Sequence, residues 1–106
     1  MAKYYKARKD TNQKYLETRL VKLNIGYVDV SALKAFCDLI VMYQGTIYFF
    51  EVKNPEYVKK KENYERSLTD LECKFHRYAS MFGVKVWVVT QLHEIMEIIG
   101  CELKIM

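Results

Sequence analysis

The chain has 106 residues, 51% hydrophobic and 28% charged, with a formal net charge of +4. That length makes one domain able to bury a core without staples, and no window approaches the ~18 apolar residues of a membrane span. The N-terminus MAKYYKARKD lacks the apolar stretch of a signal peptide. The odd set Cys37, Cys73 and Cys101 has no C-x-x-C spacing, so the cysteines read as reduced thiols of a cytoplasmic protein, with neither zinc nor a disulfide framework.

Charge is concentrated at the start. Lys3, Lys6, Arg8, Lys9 and Lys14 stand against Asp10 alone, so the first fourteen residues carry the whole net charge. A basic arm over residues 1–11, with Tyr4 and Tyr5 interleaved, suits a polyanion such as nucleic acid. A solvated, solubilising terminus accounts for it equally well. The rest, 12–106, reads as a single domain.

TNQKYLETRLVKLN (11–24) predicts a helix, because Leu16, Leu20 and Leu23 recur at i, i+4, i+7. Asp10 and Gln13 have the spacing of a capping box, and Gly26 follows the expected helix end, where a positive φ is common. GYVDV (26–30) is a short strand. Residues 38–43 and 46–53 form two more around a Gln44-Gly45 turn. NPEYVKKKENYERS (54–67) is charged and aperiodic, a connection long enough to be functional or disordered. LTDLECKFHRYASMF (68–82) is a helix, with Thr69 and Glu72 as a capping box and Gly83 past its end. VKVWVVT (84–90) is a strand and QLHEIMEII (91–99) a closing helix. The order α-β-β-β-α-β-α predicts an α/β fold. An antiparallel hairpin and a parallel, right-handed crossover strand make a small mixed sheet with helices on both faces.

The central hairpin carries three charges among apolar residues. With Gln44-Gly45 as the turn, opposed residues sum to 89, which sets Asp38 across from Glu51 with Lys53 next on the same face. Directly opposed like charges destabilise a sheet, and burial adds to the cost. Two carboxylates this close are what Mg²⁺ accepts from a protein, and the Lys53 ammonium alongside can meet a phosphate or a water. The plain alternative is an exposed Glu51–Lys53 pair with Asp38 merely opening a strand.

The ordered pattern of D38-LIV, a glycine turn, E51-V-K53 in "EVKNP", then "LTDLECKFHRYASMFGVKVWVV" and a short helix, resembles the VRR-Nuc (virus-type replication-repair nuclease) domain of the PD-(D/E)XK nuclease superfamily. Archaeal Holliday-junction resolvases are near relatives. The likeness covers roughly residues 12–99 and implies a restriction-endonuclease-like core. It implies that Asp38, Glu51 and the backbone carbonyl of Val52 bind Mg²⁺ or Mn²⁺, and that Lys53 positions or helps deprotonate the attacking water. The reaction implied is metal-dependent hydrolysis of DNA phosphodiesters, with branched or flapped substrates and a homodimer as expectations, and a virus- or phage-encoded protein acting in the host cytoplasm as a further one. Such families often add a glutamate from the first helix. Glu17 is the candidate, with a solvent-facing role as the alternative and Asp10 as a rival. Cys37 replaces the family's proline, its side chain expected on the opposite side from Asp38. Glu72 stands where many members have glutamine, which leaves the polar contact from that helix open.

His76 reads as a partly buried or surface histidine rather than a base, and His93 as structural. Trp87 belongs to the core or to a dimer edge. Lys59, Lys60 and Lys61 directly follow the proposed site and suit a basic lip for a nucleic-acid backbone, although Glu56, Glu62 and Glu65 largely offset them. Two other classes stay open: a nucleic-acid-binding module without chemistry, and a small interaction domain.

Overall fold

A computed structural model describes residues 11–101. Helix α1 (Thr11–Lys22) is followed by strands β1 (Gly26–Asp29), β2 (Leu39–Tyr43) and β3 (Thr46–Val52). Helix α2 (Asp70–Met81), strand β4 (Val86–Val89) and helix α3 (Leu92–Ile99) complete the chain. The seven predicted elements are all present, with ends differing by a residue or two. The basic arm residues Lys3, Lys6, Arg8 and Lys9, and Asp10 with them, lie outside the described residues.

The sheet order is β1-β2-β3-β4, antiparallel except for the parallel β3–β4 pair. Register is set at the hairpin. Gln44 and Gly45 both take positive φ, 48° and 81°, the type I′ geometry whose twist matches the strands. Tyr43 therefore pairs with Thr46 and Leu39 with Phe50.

That register divides the sheet into two faces. Leu39, Val41, Phe50 and Val52 lie on one, beneath Leu16 and Leu20 of α1 and Ile95, Met96 and Ile99 of α3, in the main core. The i, i+3, i+4, i+7 stripe of α1 (Gln13, Leu16, Glu17, Leu20) is the buried one. Complete burial of Phe50 alone is worth about 2–3 kcal/mol. Val86 lies on the other face, with Ile40 and Phe49 half-buried beside it, beneath Phe75 and Ala79 of α2. The edge-on ring pair Phe36–Phe75, 5.0 Å between centroids, closes that side.

Three expectations need correction. The positive φ after α1 belongs to Asn24 (59°) rather than Gly26. It lets the Ile25 N–H turn back to the Leu20 carbonyl at 3.0 Å, and Gly26 instead opens β1, with Met42 crowding its missing side chain. Cys37, expected on the opposite side from Asp38, is instead buried in the α2-side cluster, on the face that carries Glu51, because the chain leaves regular strand alternation before Leu39. The 54–67 connection is not without structure: it forms two 3-10 turns, Lys61–Asn63 and Glu65–Ser67.

Tyr64, between those turns, anchors the connection. Its hydroxyl lies 2.9 Å from Thr90 Oγ1 and donates to Glu94 Oε2 at 2.9 Å. The other Glu94 oxygen accepts the N–H groups of Thr90 (2.8 Å) and Gln91 (3.2 Å). These donors hold the buried Glu94 carboxyl below its ordinary range despite the opposing effect of burial. Glu94→Ala leaves buried donors without an acceptor, so it is expected to cost about 2–3 kcal/mol in urea unfolding, against about 1 kcal/mol for Tyr64→Phe.

Candidate active site

The β2–β3 ladder ends at Leu39↔Phe50, and one residue further Asp38 and Glu51 come together at the mouth of the two strands. Asp38 leaves the regular ladder. Its N–H donates to the Phe50 carbonyl at 2.9 Å, and its Oδ2 accepts the Val52 N–H at 2.7 Å. The carboxylate thus replaces a missing strand partner and is fixed in place by it. In an extended strand a residue's N–H and C=O point to the same side, so the Val52 carbonyl opens where the Asp38 carboxylate sits.

Glu51 is 2% exposed. Burial, together with the hydrogen-bonded, like-charged Asp38 and with Glu72, pushes its carboxyl up to about 10. Asp38 is also raised, chiefly by burial, which outweighs the favourable bonds from Glu51 and the Val52 N–H. Burial and the two carboxyls raise the neighbouring Cys37 thiol to about 12, so it is an inert thiol.

Helix α2 adds two residues whose site contacts the sequence did not reveal. Lys53 Nζ pairs with Glu72 Oε1 at 2.8 Å, and the same oxygen accepts the Thr69 N–H at 2.8 Å in the expected capping box. Burial pushes the Glu72 carboxyl up, but Lys53 and the Thr69 N–H bring it below its ordinary range. His76 Nε2 lies 3.4 Å from Glu51 Oε1. That distance admits an ion pair, but burial lowers His76 and raises Glu51, so both effects disfavour the charged pair. The signal for both was their i, i+4 spacing, which puts Glu72 and His76 on one face of α2.

The other sequence candidates are placed as follows. Glu17 is buried on α1 and bonded to Gln13 Nε2 at 3.0 Å. That amide also reaches Asp29 Oδ1 at 3.0 Å and the Asp38 carbonyl at 3.3 Å. Glu17 therefore faces inward, toward the backbone of Asp38, on the helix opposite α2. Lys59, Lys60 and Lys61 are exposed on the connection that leaves the site. His93 is exposed at the start of α3. Trp87 is half-buried against the main core, with Lys85 Nζ 4.9 Å from its ring centroid.

The donor set fits a hard divalent cation: two crowded carboxylates and a backbone carbonyl on one side. Among the described residues no group of three or more His, Cys, Asp and Glu side chains is placed to hold a metal. An ion here would rest on few protein oxygens and keep several waters, which is the habit of Mg²⁺. The chain matches no family model, no curated protein and no solved structure.

Glu51, raised to about 10, keeps in the fold a proton that the unfolded chain releases above its ordinary carboxylate range. Its contribution is complete at low pH and lost as pH rises toward that value. Glu72 and Glu94 act in the opposite sense, losing theirs as pH falls through the carboxylate range. Metal-free protein is therefore expected to be most stable in mild acid and to lose several degrees of melting temperature toward pH 9. Glu51→Gln should flatten that decline. Mn²⁺ should raise the melting temperature of the unmutated protein more at pH 8 than at pH 5, since it competes with the shared proton.

Proposed function

We propose that this chain is a metal-dependent nuclease with a restriction-endonuclease-like core, hydrolysing phosphodiester bonds of DNA at the Asp38–Glu51 corner. The observation that carries the reading is the convergence of buried Glu51 and half-buried Asp38 at the mouth of adjacent strands, with Lys53 one step beyond. Packing alone gives no reason to put them there.

On this reading Asp38, Glu51 and the Val52 carbonyl hold Mg²⁺ or Mn²⁺. Such an ion supplies charge stabilisation at the phosphate and makes a nearby water easier to deprotonate. The chain's own residues do the rest. The Val52 N–H keeps Asp38 Oδ2 aimed into the corner. Lys53 Nζ, tethered by Glu72, presents an ammonium to a phosphate oxygen or to the attacking water. Glu72 accepts hydrogen bonds where an amide would donate, so it acts on Lys53 rather than on phosphate. His76 contacts Glu51 from α2. The exposed Lys59, Lys60 and Lys61, and the basic arm, supply salt-sensitive grip on the nucleic-acid backbone. Branched or flapped DNA is the substrate class proposed.

Nicking of supercoiled plasmid and cleavage of flap and four-way junction DNA with Mg²⁺ or Mn²⁺ test this reading. Asp38→Asn and Lys53→Ala are expected to lower the cleavage rate at least about 100-fold. Asp38→Asn relieves the like-charge pressure, so it should not lower the melting temperature at pH 8, which separates lost chemistry from lost fold. Binding without cleavage in the unmutated protein would make it a nucleic-acid-binding module. Neither activity would make it an interaction domain.

A further inference from the structure

Among the described residues two clefts flank β4 and share part of their lining. One, of about 600 Å³, lies between α2 and the start of β4, with Leu68, Arg77, Ser80 and Val84 on it. The other, of about 810 Å³, runs along β4 past Trp87 to Glu94 and Ile98 of α3. Glu65, His76, Lys85 and Val86 border both. His76 also reaches the acidic corner, its Nε2 3.4 Å from Glu51 Oε1. The smaller cleft therefore begins one side chain away from the place where Asp38 and Glu51 meet.

Charge separates the two. Among the described residues, the larger cleft has Glu62, Glu65, Glu94 and Glu97 against Lys61 and Lys85, so it repels a polyanion. The smaller has Arg77 and Lys85 against Glu65. Burial holds His76 below its ordinary value, so at pH 7 it is mostly neutral and adds little charge to either cleft. Arg77 is exposed on the α2 side. Lys85 Nζ lies 4.9 Å from the Trp87 ring centroid, a cation–π contact that keeps its ammonium where the clefts join.

The walls of the smaller cleft are otherwise apolar or weakly polar. Leu68, Val84 and Val86 supply the apolar part, and Cys73 and Ser80 the small polar groups. Apolar side chains beside two cations match a nucleotide, whose base has an apolar face and whose phosphate is an anion. The volume falls within the roughly 300–1,000 Å³ of small-ligand sites. A base inside a duplex reaches such a cleft only after leaving its stack and its pair, a cost that an unpaired base largely avoids.

We propose that this cleft takes one unpaired nucleotide of the DNA strand being cut, its base against Leu68, Val84 and Val86 and its phosphate on Arg77 and Lys85. The inference rests on the nuclease reading for its substrate. It gives the choice of branched or flapped DNA a physical origin, because such DNA offers an unpaired nucleotide close to the bond held at the Asp38–Glu51 corner. Arg77 and Lys85 then set which DNA is cut, while the corner sets the chemistry.

Duplexes with and without a single-nucleotide bulge of 2-aminopurine test it on the full chain. Without divalent metal, the protein is expected to brighten the probe in the bulge, where the base leaves its stack, and to leave the paired probe dim. With Mg²⁺ or Mn²⁺, kcat/KM for the bulged duplex is expected to exceed that for the paired one at least about tenfold. Arg77→Gln, Lys85→Gln and the cleft-filling Ser80→Trp should each remove the brightening and bring that ratio toward one, without lowering the melting temperature. Equal cleavage of both duplexes, or a ratio that survives all these variants, would overturn the cleft assignment and leave the nuclease reading standing. If neither duplex is cut, the nuclease reading fails and the metal-free probe decides the cleft by itself. Brightening that the variants abolish then upholds a nucleotide site, whereas brightening absent from the parent or kept by every variant overturns it. Free 2-aminopurine deoxynucleoside monophosphate binding as tightly as the bulge would also overturn the proposal, since no strand is then needed.

Discussion

Asp38 and Glu51 are pressed together in a corner where neither can ionise without the other opposing it. Coulomb repulsion at such separations, weakly screened by a buried surrounding, is worth several kcal/mol. The surrounding structure bears the marks of this constraint. The hairpin turn sets the register that brings the two strands into line. The Asp38 carboxylate stands in for a ladder partner of Val52. Glu72 draws the nearest ammonium, Lys53, to itself while capping α2 with the same oxygen. A single carboxylate oxygen thus couples the start of a helix to the lysine beside the acidic pair.

The comparison with Glu94 shows that burial alone does not explain the corner. Glu94 and Glu51 are buried to nearly the same degree, 5% and 2% exposed. Glu94 is ringed by N–H and O–H donors and is held below the ordinary carboxylate range, whereas Glu51 faces other acids and is pushed up to about 10. The fold can satisfy a buried glutamate when its task is to anchor a loop. Glu51 has instead a second acid and a long contact to His76 for partners, and a buried acid with its carboxyl pushed this far is a mark of functional sites more often than of structural ones.

The domain is also polarised along its sheet. The acidic corner occupies the end where β3 finishes and α2 begins. At the opposite end the hairpin and the last turn of α2 leave apolar side chains uncovered. The connection 54–67, pinned by Tyr64 to Thr90 and Glu94, carries its lysines from the corner along the β4 side. Separate surfaces are thereby available for charge and for apolar contact, held apart by one rigid sheet.

Local chemistry in the sequence was enough for the elements and for one register. Alternation, leucine spacing, the Gln44-Gly45 turn and the Thr69/Glu72 capping box are all decided within a few residues of chain, so α1 to α3 and the approach of Asp38 to Glu51 were legible from composition and spacing. Residues beyond regular repeats were not legible in this way. The side taken by Cys37, the positive φ at Asn24 and the anchoring by Tyr64 depend on contacts between distant segments. The partners of Lys53 and Glu51 on α2 could be read only once the crossover had laid that helix over the end of β3. Spacing determines what lies along one strand or helix, but the meeting of Lys53 with Glu72 and of Glu51 with His76, 19 and 25 residues apart in the chain, was decided by how the helix packs on the sheet.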